Sequence, residues 1–550
     1  MKNFRYTLLV VLALSSVSCQ KEFLNRLPLD SSSDATFWVN EEQIKAAANA
    51  CYAFIKDKNT VDRELMGDHV LWPSSTNYQT IGSGNFNSDI SNVNNEWNDD
   101  YAGIARCNNF LENYLKADIE ATKKERYASE VRFVRAYLYF YLAETFGDVQ
   151  LITKTLKVDD PEVFGKRDKN EVVVDFILKE LDEIAGKLPL TYPAADYGRI
   201  TRGAALAFKS RVALFFKKYA VAEKAAKDVM DLGVYQLYNN GNTKTSYKDL
   251  FTLKGNVLEN PSNKETIMAY VYSPEIRMHN FSRELHVPDQ AIRFNPTKAL
   301  VDSYLCSDGL PINKSPLYAE KSYADYFKNR DPRMTQTILE PGAAWGGQKD
   351  GNPANSNLSI FTAPKFNADK KGAVTITGFY FTKYVELSAV PTFNKDHNDI
   401  IILRLAEVFL NWAEAKMEQG TLTQTDLDLS INKLRDRVGM KRMSLMDLAA
   451  NGLNLRDEIR RERRVELALE GLRYYDILRW QQGNLLAQDS KGMKRSFATV
   501  QNDVKSIPVD KDGYIVVYTG NTFKDPKNYL WPVPFAQLQR NPNLGQNPGW

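Results

Sequence analysis

The sequence predicts a mostly α fold: a scaffold of helical hairpins interrupted by a large, irregular, loop-rich insert that carries short strands. Three observations predict it. Apolar residues return at helical spacing over several stretches, as with Val131, Val134, Leu138 and Leu142. The segment 204–237, "AALAFKSRVALFFKKYAVAEKAAKDVMDLGVYQL", reads as two short helices with small residues where they must approach, over a unit close to the roughly 34 residues of a tetratricopeptide repeat. Between 250 and 398, Pro, Gly, Asn and aromatic residues rise while the periodicity fades.

In chain order, Lys2 and Arg5 precede an apolar run from Tyr6 to Leu14, and the small residues Ser15, Ser16 and Ser18 lead to Cys19. The run fits a secretory h-region of about 7–15 residues and is shorter than the roughly 18 apolar residues a membrane span requires. A small residue before a cysteine resembles a bacterial lipobox, although Ser16 stands where that motif usually carries Leu. Residues 1–18 are read as a lipoprotein signal peptide, Cys19 as the lipidation site and 19–36 as a lipidated tether containing Ser31, Ser32 and Ser33. Acylation would anchor the chain without a span.

Residues 37–249 form the first helical region. "EEQIKAAANACYAFI" has the Ala-rich composition of a packed helix. "STNYQTIGSGNFNSDISNVNN" reads as a polar loop, and "EWNDDYAGIARCNNFLENYL" resumes the helical pattern. Gly147 is expected to end the helix that follows. In the repeat-like unit, Ala204, Leu214, Tyr219, Ala222, Ala226 and Val229 fall at hairpin contact positions. Residues 250–398 are the irregular insert, with a short strand expected within "ITGFYFTKYVEL". Residues 399–480 carry C-terminal hairpins: "LRLAEVFLNWAEAKMEQG" and "DLDLSINKLRDRVGM" pair across Gly420 and stack as solenoid units do. Residues 481–550 are loop-rich and expected to pack on the scaffold.

Charge is nearly balanced, with 71 basic and 68 acidic residues, which excludes the electrostatic footprint of a nucleic-acid binder. Four cysteines are too few for a disulfide scaffold. With Cys19 acylated, Cys51, Cys107 and Cys306 form an odd set, expected to be small buried residues.

Seven stretches together carry a resemblance: "EFLNRLPLD", "EVRFVRAYLYFYLAETFGDVQLIT", "RDPRMTQTIL", "LRLAEVFLNWAEA", "INKLRDRVGM", "IRRERRVELALEGLRYYDILRW" and the ending "LWPVPFAQLQRNPNLGQNPGW". Spread in order over nearly the whole mature chain, they resemble the SusD/RagB family. The resemblance implies a lipoprotein on the outer face of the outer membrane, a helical fold with tetratricopeptide-like pairs, and a SusC-type TonB-dependent transporter as partner. It also implies that the chain captures oligosaccharides for import, or peptides as some members do. Trp550 stands where the family commonly ends in Tyr.

Glu462, Glu466 and Glu470 lie four residues apart on one helix face and invite comparison with the carboxylate pair of a glycosidase. Arg460, Arg461, Arg463, Arg464 and Arg473 surround them. Such neighbours depress carboxylate pKa values, whereas a general acid needs one raised. An ion-paired scaffold helix is expected, with Val465, Leu469 and Leu472 facing inward. His69, His279, His286 and His397 have no zinc-ligand spacing. "GSGNFN" lacks the third glycine of a dinucleotide turn, and there is no Walker loop or G-x-S-x-G elbow. No catalytic residue, metal site or cofactor is expected.

Sugars present apolar faces rimmed by hydroxyls, so a binder wants aromatic platforms flanked by hydrogen-bonding side chains. The first polar loop offers Asp68, Trp72, Asn77 and Tyr78, and the insert offers Tyr272, Arg283, Phe294, Trp345 and Gln348. Trp345, set among glycines in "PGAAWGGQKDG", is the sharpest candidate for an open ring. The family resemblance implies a ligand face built from the same two regions. Trp97, Trp412 and Trp480 are expected in the core, and Trp531 and Trp550 as plugs pinning a C-terminal coil. The sequence thus points first to a surface glycan-binding lipoprotein. The alternatives are a peptide-binding protein of the same architecture and a surface glycoside hydrolase.

Overall fold

The computed structural model describes residues 37–286, 292–346, 359–366 and 374–550. Cys19, the tether and Gln348 lie outside the described residues. Helix formation starts at Asn40, whose side chain accepts the Gln43 N–H while the Gln43 side chain closes a capping box. It opens α1 (Glu41–Tyr52). Beyond a single turn at Asn59–Asp62 come α2 (Asn77–Gly82), α3 (Ser91–Asn113), α4 (Ala121–Phe146), α5 (Asn170–Ala185), α6 (Arg202–Phe215) and α7 (Tyr219–Asp231). Helix α8 (Leu405–Glu418) follows the insert, then α9 (Ile431–Val438), α10 (Leu455–Glu466) and α11 (Arg473–Arg479).

Helix α4 is the centre of the scaffold. Every residue from Tyr127 to Phe146 except Arg132 is buried, as expected for a helix that is covered nearly all round rather than along one stripe. It stops at Gly147, whose φ of 75° a side chain would strain. Helices α1, α3 and α5 pack on α4, and the stack continues from α5 to α6, α6 to α7, α7 to α8 and α8 to α10. The alanines expected at the hairpin contacts are buried: Ala204 on α6, and Ala222 and Ala226 on α7. They let the backbones approach to close-packed distance. Gly420 and Gly439 turn the chain after α8 and α9, each at φ 71°. The fold class is as the sequence predicts.

Eight short strands are formed among the described residues: β1 (Val70–Leu71), β2 (Thr266–Tyr270), β3 (Asn295–Pro296), β4 (Ala344–Trp345), β5 (Ser359–Ile360), β6 (Ile400–Arg404), β7 (Ser490–Lys494) and β8 (Tyr514–Tyr518). They pair antiparallel, β1 with β3, β2 with β6, β4 with β5 and β7 with β8. Two local expectations are corrected. The stretch 376–387 contributes only an isolated bridge from Phe381 to Ile338. There the Thr375 hydroxyl takes the Thr377 and Gly378 N–H groups, and Thr377 takes that of Phe379. These local bonds compete with a ladder. The polar loop at 75–95 contains α2 and the start of α3. Thr76 caps α2 by accepting the Gln79 N–H.

Two apolar clusters form the core. The first holds the helical stack, including Trp97 and Trp412; the second gathers Tyr247, Phe281, Phe294, Trp345, Tyr380 and Tyr384 from the middle of the chain. Helix α10 and strand β6 contribute to both. Trp480 is also buried and donates to Glu414. Trp531 is buried with its indole N–H on the Tyr474 hydroxyl. Half-buried Trp550 packs on Phe86 at 4.7 Å and donates to the Lys527 and Leu530 carbonyls. The C-terminal segment is thereby pinned, with one short helix, Phe535–Arg540, inside it. Cys51, Cys107 and Cys306 are buried free thiols. No helix among the described residues is long and apolar enough to cross a membrane.

Candidate functional site

Polar side chains line a cleft of about 620 Å³ where α1, α2 and α3 meet a turn that follows β2. Each wall has a local cause. Beyond α1 the chain turns at Asp57, which accepts the Asn59 N–H through Oδ1 and the Arg277 guanidinium through Oδ2 at 2.8 Å. Arg277 is delivered by a tight turn in which Ser273 and Arg277 exchange both backbone hydrogen bonds. Its guanidinium lies 4.6 Å from the Tyr270 ring centroid. The cap of α2 places Asn77 and Tyr78 on the opposite wall, and Asn77 donates to Ser91 and Asn92. The start of α3 supplies Asn92, Asn95, Glu96, Asp99 and Asp100. A second hollow of about 530 Å³ adjoins the cleft, sharing Ala53, Ile55 and Arg277 and adding Lys45, Tyr270 and Ile276.

The floor is charged and buried. Lys56 bonds Glu96 at 2.8 Å and Asp100 at 3.1 Å, and Arg63 donates to Glu96. Burial works to raise the Glu96 carboxyl, but Arg63 and Lys56 outweigh it and bring it down to about 2. At Asp100 burial prevails over Lys56 and the carboxyl rises to about 7. Its Oδ2 is buried without a hydrogen-bond partner among the described residues. Burial also raises the Tyr78 phenol, so it remains a neutral donor and acceptor.

Of the residues expected to contact ligand, this cleft brings together Asn77 and Tyr78. Asp68 lines a different cavity, of about 670 Å³, between β1, α2 and the β7–β8 hairpin. There Arg464 and Arg473 bind both its oxygens. Burial works to raise that carboxyl, yet the two guanidiniums hold it well below the usual range. Trp72 is half-buried, edge-on to Phe294 at 5.2 Å with Arg293 over its ring. Tyr272 and Arg283 are buried: the Tyr272 hydroxyl accepts the Lys58 N–H, and Arg283 donates to the Val390 carbonyl.

Trp345 and Phe294 require correction. Trp345 is 5% exposed, edge-on to Phe361 at 5.4 Å and 5.5 Å from Tyr380. Phe294 is fully buried between Trp72 and Phe281. Neither presents an open ring, because aromatic residues distant in sequence close over both. Among the described residues, Phe164, Phe393 and Phe535 are exposed aromatic residues, Phe393 the most so at 66%. Phe393 stands on the turn whose Lys395 pairs with Glu275 of the Arg277 turn at 2.8 Å. The cleft is also lined by Asp57, Asn95, Asp99 and Arg277 and the adjoining hollow by Tyr270, none of which the sequence reading singled out. Only the Asn-rich run entering α3 was a visible signal; Asp57 and Arg277 are 220 positions apart.

Glu462, Glu466 and Glu470 are elsewhere, in a buried network. Arg333 joins Glu462 and Glu466, Arg404 joins Glu466 and Glu470, Arg437 joins Glu466, Arg435 joins Glu462 and Lys383 joins Glu470. Burial opposes ionisation of Glu466, but Arg437, Arg404 and Arg333 overcome it and hold the carboxyl well below the usual range. Such a group has no proton to donate near neutrality. No cluster of three or more candidate metal ligands occurs among the described residues.

A family model described as the SusD family matches residues 264–550, and a model described as starch-binding associating with outer membrane matches residues 22–214. A SusD-like protein from Formosa agariphila is 23% identical over 469 residues, covering 78% of this chain and 80% of that protein. The chain is also similar to the solved structure of a SusD-like carbohydrate-binding protein from Bacteroides fragilis. That structure has a TM-score of 0.79 and 28% identity, covering 92% of this chain and 100% of that one. A second SusD-like structure from the same organism has a TM-score of 0.76 and 26% identity, covering 96% and 100%.

Proposed function

The chain belongs to the SusD family, and from that premise we propose that it binds oligosaccharides at the cell surface and hands them to a SusC-type TonB-dependent transporter. The cleft bounded by α1, α2, α3 and the Ser273–Arg277 turn is the proposed glycan site. One observation carries the assignment: across the cleft and the hollow that adjoins it the walls offer amides, carboxylates and a guanidinium, with Tyr78 in the first and Tyr270 in the second. Paired donors and acceptors suit vicinal hydroxyls, and ring faces suit the apolar side of a pyranose. The carbohydrate-binding relative from B. fragilis supports the ligand class. The starch-binding description of the matched N-terminal model supports both that class and the outer-membrane setting. Cys19 is the proposed lipid attachment point and the proposed role is binding without cleavage.

The test is native electrophoresis through gels that each contain one polysaccharide, α-glucans, fructans, xylans and mannans among them, with released reducing ends assayed in parallel. Retardation by one glycan without cleavage, weakened by Arg277→Ala and by Asn77→Ala, is expected. Retardation unchanged in both variants removes the cleft as the site. Competition by peptides alone favours the peptide-binding alternative, and cleavage favours the hydrolase.

A further inference from the structure

The charge arrangement of the cleft narrows the ligand class. The cations along its walls are already answered by carboxylates on the same walls. Lys56 and Arg63 share Glu96, and Lys56 also meets Asp100. In the adjoining hollow Asp196 accepts from Lys45 at 3.3 Å and from Arg199 at 2.9 Å, and Glu130 takes a second Arg199 nitrogen at 2.7 Å. The most solvent-accessible of these cationic side chains are Arg277, 51% exposed and held by Asp57, and Lys45, 45% exposed and held by Asp196. Asp99, exposed on the α3 face, forms no ion pair among the described residues.

A sulfate or carboxylate entering this space meets an Arg277 whose charge Asp57 already balances at 2.8 Å, and it lies beside that carboxylate and within the field of Asp99. Like charges so placed discriminate against a ligand. An uncharged polyol meets no such repulsion. A guanidinium carries five N–H donors and a carboxylate about four acceptor positions, so the intact Arg277–Asp57 pair can donate and accept toward neighbouring hydroxyls at once. We infer that this site takes uncharged glycans and turns away sulfated and uronic-acid-bearing ones, an inference that rests on the glycan-binding reading above.

The test uses the full-length chain in detergent and four neutral polysaccharides, amylopectin, laminarin, inulin and galactomannan, each run beside its own sulfated derivative. At least one neutral parent is expected to bind, its sulfated form at least roughly tenfold more weakly. Binding of the parent should be insensitive to about 0.5 M NaCl, because no ion pair is made with ligand. Asp57→Asn frees Arg277 and is expected to strengthen binding of the sulfated form at least about threefold, a gain lost in high salt. A sulfated form that binds as tightly as its parent, or Asp57→Asn without any gain, overturns the inference and leaves the glycan-binding reading standing. Binding of none of the eight overturns both. The parent-against-sulfated comparison on the unaltered chain does not depend on any variant folding.

Discussion

Glu466→Gln is expected to destabilise the fold by about 3–5 kcal/mol while leaving ligand binding unchanged. Glu466 is 0% exposed and accepts from Arg404 and Arg437, each at 2.7 Å, and from Arg333 at 3.0 Å. The surrounding network sets five cations, Arg333, Arg404, Arg435, Arg437 and Lys383, against five carboxylates, Asp331, Glu265, Glu462, Glu466 and Glu470. Glutamine keeps the shape and one acceptor oxygen but removes a charge, so five buried cations face four anions. An unanswered buried charge carries a cost of that size because low-dielectric surroundings replace water. A chain of 550 residues unfolding as one unit has a transition entropy of roughly 1.2 kcal/mol/K, at about 2.1 cal/mol/K per residue. The expected fall in Tm is therefore only about 3–4 °C, and the urea midpoint is the more sensitive readout. The Arg cluster keeps this carboxyl ionised, while burial lowers the Lys383 ammonium to about 8, so the loss should be full at pH 6 and smaller at pH 8, where Lys383 can shed its proton. An unchanged urea midpoint refutes the charge-balance reasoning. Reducing ends released by the unaltered chain and abolished in Glu466→Gln would make the residue catalytic.

Trp345→Ala should cost about 3–5 kcal/mol in urea unfolding, because the ring is packed against Phe361 and Tyr380; a specific loss of glycan affinity at unchanged stability would restore it to the ligand face. Arg277→Ala should weaken glycan binding roughly tenfold, consistent with one charge-assisted hydrogen bond of about 1.5 kcal/mol. Its exposed ion pair is worth under about 1 kcal/mol, so thermal melting should barely move. Burial raises the Asp399 carboxyl to about 7. Between an unfolded value of about 3.9 and that folded value, the folded chain keeps a proton that the unfolded chain has released. This contribution is fully present below the unfolded pKa and is lost as pH rises to about 7. Asp399→Asn, which keeps an acceptor for the Tyr272 N–H or the Tyr197 hydroxyl, should flatten the decline in stability from pH 5 to pH 8. An equal slope in the variant would rule this residue out as its source.

The parts of the chain legible before folding were those governed by local spacing. The apolar period of α4, the alanines of α6 and α7, and the glycines at 147 and 420 each act within a few residues, and the helical scaffold followed from them. The ion pairing of Glu466 was anticipated but its partners were not: Arg333, Arg404 and Arg437 come from other segments, while the neighbours Arg460, Arg461, Arg463, Arg464 and Arg473 pair with Glu418, Glu458, Asp476 and Asp68. The two local misreadings had local competitors: threonine hydroxyls capturing backbone N–H groups near 376, and the Thr76 cap organising α2 inside an apparent loop.

The proposed cleft was legible only in part. Asn77 and Tyr78, which line it, were singled out because a polar loop between helices tends to stay at the surface. Arg277 and Asp57 were not, because neither carries a signal until the turn after β2 is laid against the end of α1. Trp345 was misjudged for the converse reason. Its glycine neighbours leave it uncovered along the chain, but Phe361 and Tyr380 cover it in space. The sequence by itself determined the helical hairpins and the family signature, which depend on near neighbours or on residue order; the end of α10 at Glu466, short of Glu470, was not legible. The tertiary structure decided which aromatic rings stay open, which charges are already answered and which walls meet around the cleft. Burial and Coulomb energy depend on distance through space, and only folding sets that distance.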